Sequence, residues 1–261
     1  FYNNNHGDWT FVGIDNFVQI LSGGGRSLSD PLNFWFTLGV TVAWTVVNVV
    51  LHVSIGVAMA LVLRPRWLHG RKGFRMLLIL PWAIPNYITA LIWRGMFQGE
   101  YGAINAVLSS LGLDKVSWFS EWSTAFAANV ATNTWLGFPF MMVVALGALE
   151  SIPTDMYEAA EVDGASPWDR FRHITMPHLV PAMLPAVALG AIWTFNMFNV
   201  IYLVSEGRPG GGTDILVTEA YRWAFERGER YGFAAAYATI IFLILVLWTI
   251  VGARLSRRDS E

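Results

Sequence analysis

The chain has 261 residues, 54% of them hydrophobic and only 14% charged, with a net charge of -2. Soluble domains carry about 25% charged residues, so the composition points away from a soluble domain and towards a polytopic α-helical membrane protein. The near-neutral charge leaves no nucleic-acid footprint, and the absence of cysteine excludes disulfides and thiolate metal sites.

Residues 1–31 are polar and glycine-rich, with Gly23-Gly24-Gly25 as a loop, and are expected outside the membrane as an extracytoplasmic segment. A transmembrane domain is expected over 32–254 and a short cytoplasmic tail over 255–261. Span one covers 32–63, longer than the roughly 20 residues a crossing needs. Asn48 and His52 lie one turn apart on it and read as a polar clasp between helices, or else as a ligand or proton site. Arg64, Arg66, Arg71, Lys72 and Arg75 form the densest basic stretch, which places 64–75 in the cytoplasm and suits anionic lipid as well. Span two covers 76–97. Pro81 and Pro85 each remove a backbone donor there, so the helix should kink or break. Residues 98–121 read as an outside loop with Gly99, Gly102 and Gly112. Span three covers 122–149, span four 179–204 and span five 231–254.

Between spans three and four lies a polar stretch, 151–178. Thr154 and Asp155 after Pro153 are candidate helix caps. Glu158 to Asp163 reads as a short helix, Gly164 as the positive-φ residue that ends it, and Ser166-Pro167 as the start of a second helix. Pro177 is expected to close that second helix. Beyond span four, 205–231 returns outside. There Val217, Ala220, Tyr221, Ala224 and Phe225 follow helical spacing, with Glu219, Arg222 and Glu226 on other faces. An amphipathic helix over 213–227 should lie along the outer interface, or touch an outer partner.

Bases set the orientation. Arg64, Arg66, Arg71, Lys72, Arg75, Arg170, Arg172, Arg254, Arg257 and Arg258 fall inside, against Arg26, Lys115, Arg208, Arg222, Arg227 and Arg230 outside. Only His52 is a deep ionisable group in the spans; Arg94 and Glu150 lie near span ends. An ion-driven carrier needs such groups at depth, so a neutral substrate and an external energy source fit better. Amides and aromatics do line the spans. Asn129, Asn133, Gly137 and Phe140 share one stripe of span three. Trp193, Asn196, Val200 and Leu203 share one of span four, with Asn199 beside Asn196. Amides can bond sugar hydroxyls and rings can cover sugar faces, while Gly137 would let a ligand come close. The same asparagines would also serve as glue between helices. No phosphate-loop motif occurs, His173 and His178 lack a third metal ligand, and no paired carboxylates lie at depth. An enzyme is therefore not expected; an ion-coupled carrier remains the competing class.

Glu158-Ala159-Ala160, three residues, Gly164, nine residues, Ile174, Met176 and Pro177 match the EAA signature of ABC-importer permeases, with Met176 where leucine is usual. Pro81-Trp82-Ala83-Ile84-Pro85 and Val12 to Phe17 also resemble segments of the carbohydrate branch. Asn133 to Met142 resembles the matching helix of maltose-importer permeases of the MalF type. The resemblance implies an all-α, type I importer-like transmembrane bundle with about five spans here, and one more span before Phe1. It implies that Glu158, Ala159, Ala160, Asp163 and Gly164 couple to an ATPase. It implies that Gly137, Phe140 and Asn196, with Asn133 and Asn199 added from the stripes above, line a path for maltose or a maltodextrin, or for another polyol or glycerol phosphate. Two further asparagines of that family correspond to Thr194 and Met197, so the polar set is reduced. The implied partners are a second, MalG-like permease subunit, two ATP-binding subunits that carry ATP and magnesium, a periplasmic sugar-binding protein and membrane lipid, with no nucleic acid. The implied location is the bacterial inner membrane, and no cofactor is expected on this chain.

Overall fold

Long apolar runs form helices because a backbone in lipid must pair its polar groups within its own segment. The computed structural model describes residues 2–5, 8–65 and 68–258, with side chains for 10–65, 68–250 and 252. Arg66 and residues 259–261 of the tail lie outside the described residues, as do the side chains of Arg254, Arg257 and Arg258. In chain order the elements are β1 (Tyr2–Asn5), β2 (Asp8–Phe11), α1 (Asp15–Leu21), α2 (Phe34–Leu63), α3 (Arg71–Ala83), α4 (Asn86–Met96), α5 (Ala103–Ser110), α6 (Trp122–Glu150), α7 (Thr154–Val162), α8 (Pro167–Arg170), α9 (Met176–Phe195), α10 (Phe198–Val200), α11 (Leu216–Phe225) and α12 (Tyr231–Arg258). β1 and β2 pair antiparallel as one hairpin; the rest of the regular structure is helical.

Among the described residues four helical stretches are long and apolar enough to cross a membrane: Phe34–Leu63, Trp122–Glu150, Pro167–Phe195 and Tyr231–Ile250. A fifth is the broken pair Arg71–Ala83 and Asn86–Met96. The break falls at Pro85, whose ring disfavours helical geometry in the residue before it; Ile84 is extended, with φ -86° and ψ 135°. Pro81 stays inside α3. Two expectations need correction here. The loop 98–121 contains α5, organised by the buried Asn105. Its Nδ2 donates to the carbonyls of Gly99 (2.8 Å) and Val116 (2.9 Å), and its Oδ1 accepts from Trp118 Nε1 (3.0 Å). Span four is not continuous, since α9 stops at Phe195. The α12 helix continues as far as Arg258, into the stretch expected as a tail.

The chain forms two compact units. One comprises 1–46, 86–132 and 192–261. Its core holds Ile20, Phe34, Leu216, Trp223, Phe233 and Tyr237, with α11 packed on α12. This corrects one part of the reading of this helix, which set Glu219 on a face other than the buried one. Glu219 is only 1% exposed and pairs with Arg227, and Asp214, equally buried, lies 2.9 Å from Arg222. Arg222 also donates to the Glu206 carbonyl at 2.7 Å, and Glu206 pairs with Arg94 at 2.6 Å. Burial pushes the carboxyls of Asp214 and Glu219 above the usual range, against the pull of Arg222 and Arg227 respectively. Helical spacing marked the apolar face correctly at Ala224, but it could not show that the partly buried Arg222 and Arg227 would pair with acids on the inner side.

The other unit comprises 47–85 and 133–191. Met141, Met142, Leu149, Ile174, Leu179 and Met183 form its core. Here α2 meets α6 at close range because Gly56 has no side chain; a Cβ there would fall 2.7 Å from Met141 Cβ.

Candidate functional site

The polar stretch after α6 is a built structure rather than a slack connection. The α6 end is pinned by Glu150, whose Oε1 accepts from Arg75 Nη2 at 2.6 Å. Ile152 is buried next to it. Pro153 then serves as the N-cap of α7, extended at φ -58° and ψ 136°, with no side-chain cap bond. Thr154 and Asp155 are therefore helical residues of the first turn and not caps. Asp155 still suits its place, since an acid near a helix start meets the positive end of the dipole.

Tyr157 and Ala160 turn to the core of the unit. The Tyr157 hydroxyl lies 2.9 Å from Thr175 Oγ1, and the Arg64 guanidinium sits 4.3 Å above its ring. The helix ends in a Schellman motif. Ala165 N–H donates to the Ala160 carbonyl (2.9 Å), Gly164 N–H donates to Glu161 (3.1 Å), and Gly164 takes φ +79°. Ala160 and Gly164 of the signature thus have a local reason: one accepts the closing bond and the other turns the chain. Ser166 caps α8 in a capping box with Asp169, with Pro167 at the first position. Arg170 Nη1 reaches Glu161 Oε2 at 2.8 Å and ties the second helix to the first.

Pro177 does not close α8. A wide turn at Phe171–Thr175 joins α8 to α9 in one helical run. Its longer bonds, such as Met176 N–H to the Phe171 carbonyl, let the helix pass the donor that Pro177 lacks. Glu158, Ala159, Val162, Asp163 and Gly164 remain exposed, Val162 by 87%. Among the described residues no ion pair or hydrogen bond engages the Glu158 carboxylate. The arrangement is a rigid, two-helix protrusion with a small-residue face and, among the described residues, exposed unpaired acids at Asp155, Glu158 and Asp163.

The intramembrane polar groups divide between the units. In the second unit, Asn133 is buried, and its carbonyl lies 2.9 Å from His52 Nε2. Its side-chain Nδ2 has no partner among the described residues. Gly137 does not present an open approach to a ligand on its Cβ side: that space holds the His52 imidazole, 2.2 Å from where a Cβ would stand. Sequence spacing could not have shown this, because the two residues lie on different helices. The Phe140 ring lies 6.1 Å from that of Trp82, a pairing the sequence also left hidden. In the first unit, α9 ends in an inverse γ-turn, with Met197 at φ -75°, ψ 76° and Phe198 N–H donating to the Asn196 carbonyl at 2.8 Å. This turn interrupts the stripe from Trp193 to Leu203. Asn196 Nδ2 bonds back to the Ile192 carbonyl at 3.1 Å, while Asn199 Nδ2 donates to Asn86 Oδ1 and Asn129 Nδ2 to Ser205 Oγ, both at 2.8 Å.

Comparison with known proteins places this architecture. The family described as binding-protein-dependent transport system inner membrane component matches residues 28–259. The chain belongs to that family. As an inner membrane component it is a multi-pass protein, in keeping with its apolar helices. It is 39% identical over 260 residues to the maltose/maltodextrin transport system permease protein MalF of Salmonella typhimurium, covering 96% of this chain and 50% of that one. MalF of Escherichia coli K12 is 40% identical over the same shares. The chain spans about half the length of the curated relatives it matches. Among solved structures, a bacterial ABC transporter involved in the import of the acidic polysaccharide alginate matches with a TM-score of 0.83 and 24% identity, over 96% of this chain and 85% of that chain. An amino acid ABC transporter matches at a TM-score of 0.60 and 17% identity, over 95% and 100%. The fold is that of a type I ABC-importer permease.

Proposed function

We propose that the protein is a translocation subunit of an ATP-driven importer, moving a neutral, maltose-like oligosaccharide across the inner membrane. The observation that carries this reading is the exposed, rigid α7–α8 protrusion, with Glu158 unpaired and Gly164 in the left-handed conformation. Such a protrusion transmits force, because its Schellman closure, its capping box and the Glu161–Arg170 pair leave it no slack. Two ATP-binding subunits would hold ATP and magnesium and grip Glu158, Ala159, Ala160, Asp163 and Gly164. A second permease subunit would complete the path, and a periplasmic binding protein would deliver the sugar. Closure of the ATPases would then rock the spans and switch access. The relatives' name, maltose/maltodextrin permease, supports the sugar class. Asn133, Gly137, Phe140, Asn196 and Asn199 are the proposed path residues, Asn133 foremost, since its amide has hydrogen-bonding capacity to spare.

The test is the reconstituted complex. Glu158→Lys with Gly164→Asp should abolish sugar-stimulated ATPase activity and uptake while the spans stay folded. Intact transport in that variant, or uptake driven by an ion gradient without ATP, refutes the reading. A panel of oligosaccharides in the same assay assigns the substrate.

A further inference from the structure

The second unit contains a cavity of about 630 Å³ that the transport reading does not use. Its wall includes Arg64, Arg71, Leu149, Glu150, Thr154 and Tyr157. We propose that this cavity binds a phosphate-ester anion, the headgroup of an anionic phospholipid.

The charges come first. Glu150 is the one acid in the wall, and Arg75 already engages it at 2.6 Å. Arg64 lies over the Tyr157 ring, and neither Arg64 nor Arg71 pairs with a carboxylate among the described residues. Two guanidinium groups therefore face the cavity without a counter-charge. Guanidinium groups suit phosphate oxygens, which they can bond in pairs.

The backbone adds to the same field. Arg71 is the first residue of α3 and Thr154 the first of α7, and both line the cavity. Neither helix start has a side-chain cap; Asp155 already meets the positive end of α7, so α3 is the start left without an acid. The first turn of α3 carries Arg71 and Lys72 and no acid. Bases at the positive end of a helix are unfavourable unless an anion joins them.

The location favours a lipid as the source of that anion. The cavity opens where α2 ends at Leu63 and α6 at Glu150, two spanning helices, so it stands at headgroup depth. Leu149, Ile152 and Pro65 give it an apolar side against which a glycerol backbone can rest. It is also continuous with the protrusion, since Tyr157 and Thr154 belong to α7. A bound headgroup would brace the base of that element. None of this depends on which substrate is carried.

The experiment uses the full-length protein in its purified complex, placed in phosphatidylcholine discs with a minority of phosphatidylglycerol. Native mass spectrometry reads the phosphatidylglycerol retained after release. The wild type should keep it in preference to phosphatidylcholine. Arg64→Gln with Arg71→Gln should weaken retention about thirtyfold, the loss of two juxtamembrane charges, while Lys115→Gln changes nothing. Arg64→Lys with Arg71→Lys should keep most of it. Should the double glutamine variant fail to fold, Arg71→Gln alone removes one guanidinium and leaves the Arg64–Tyr157 contact in place. Glycerol 3-phosphate, which has the ester but no acyl chains, separates the sources: displacement by it, sensitive to the same arginines, supports the anion site and assigns it to a soluble ligand. Equal retention of phosphatidylglycerol by wild type and arginine variants, with no arginine-dependent binding of glycerol 3-phosphate, overturns the proposal.

Discussion

Gly137→Ala offers a sharp test of how the second unit is packed. The new methyl would stand 2.2 Å from His52 Cε1 and 2.4 Å from its Nε2. Carbon contacts settle at about 3.5–4.0 Å, so the ring would have to retreat by more than an ångström. It is tethered by the Asn133 carbonyl at 2.9 Å. Overpacking of this kind costs about 1–3 kcal/mol, and a lost hydrogen bond about 1 kcal/mol more. Alanine gains about 1 kcal/mol over glycine in a helix interior. The clash wins, and the variant should lose about 2 kcal/mol, or roughly 4–8 °C in apparent melting temperature. With His52→Ala the clash disappears while the helix preference stays. In that background Gly137→Ala should stabilise, by about 1 kcal/mol. The measurement is thermal unfolding of the four purified proteins in one detergent, read by tryptophan fluorescence. A Gly137→Ala effect of the same sign in both backgrounds would refute the reasoning.

Arg222→Gln strands the Asp214 carboxylate, which is buried and loses its 2.9 Å partner; breaking such a pair costs about 3–5 kcal/mol. Burial already holds the Asp214 carboxyl above its ordinary range. In the variant its folded pKa exceeds the unfolded one by more, so stability should fall as pH rises between the two and recover on acidification. Asp214→Asn added to Arg222→Gln should restore most of the loss at neutral pH; a melting temperature indifferent to both changes would contradict the account. Ser166→Ala removes the cap of α8, so limited proteolysis between α7 and α8 should quicken about fivefold. Ser166→Thr should be close to wild type, and equal cleavage rates for all three would show that the cap does not hold the loop.

Much of the protrusion was legible in the sequence because its chemistry is short-ranged. A positive φ at Gly164 and a cap at Ser166-Pro167 depend on residues within a turn of one another, and both are present. The error at Thr154 and Asp155 is of another kind. The buried Ile152 and the extended Pro153 set the direction of the chain there, so the helix begins one residue before its best capping side chain. At Pro177 a widened turn upstream absorbed the missing donor, which propensity alone cannot foresee.

By itself, the sequence determined that the chain spans a membrane, where spans one, three and five lie within a few residues, and that a bent polar element stands between two spans; span four lies about ten residues earlier than its apolar run suggested. Uninterrupted apolar runs and local turn residues encode those features without reference to distant parts of the chain. Tertiary structure alone decided the destinations of the polar side chains. His52 covers Gly137 from another helix, Glu219 turns inward to Arg227, and Asn199 spends its amide on Asn86. A polar group withdrawn from water must find whichever partner packing brings within reach; for His52 and Asn199 that partner lies tens of residues away, and for Glu219 it lies beyond the end of its own helix, so helical periodicity carries no information about it.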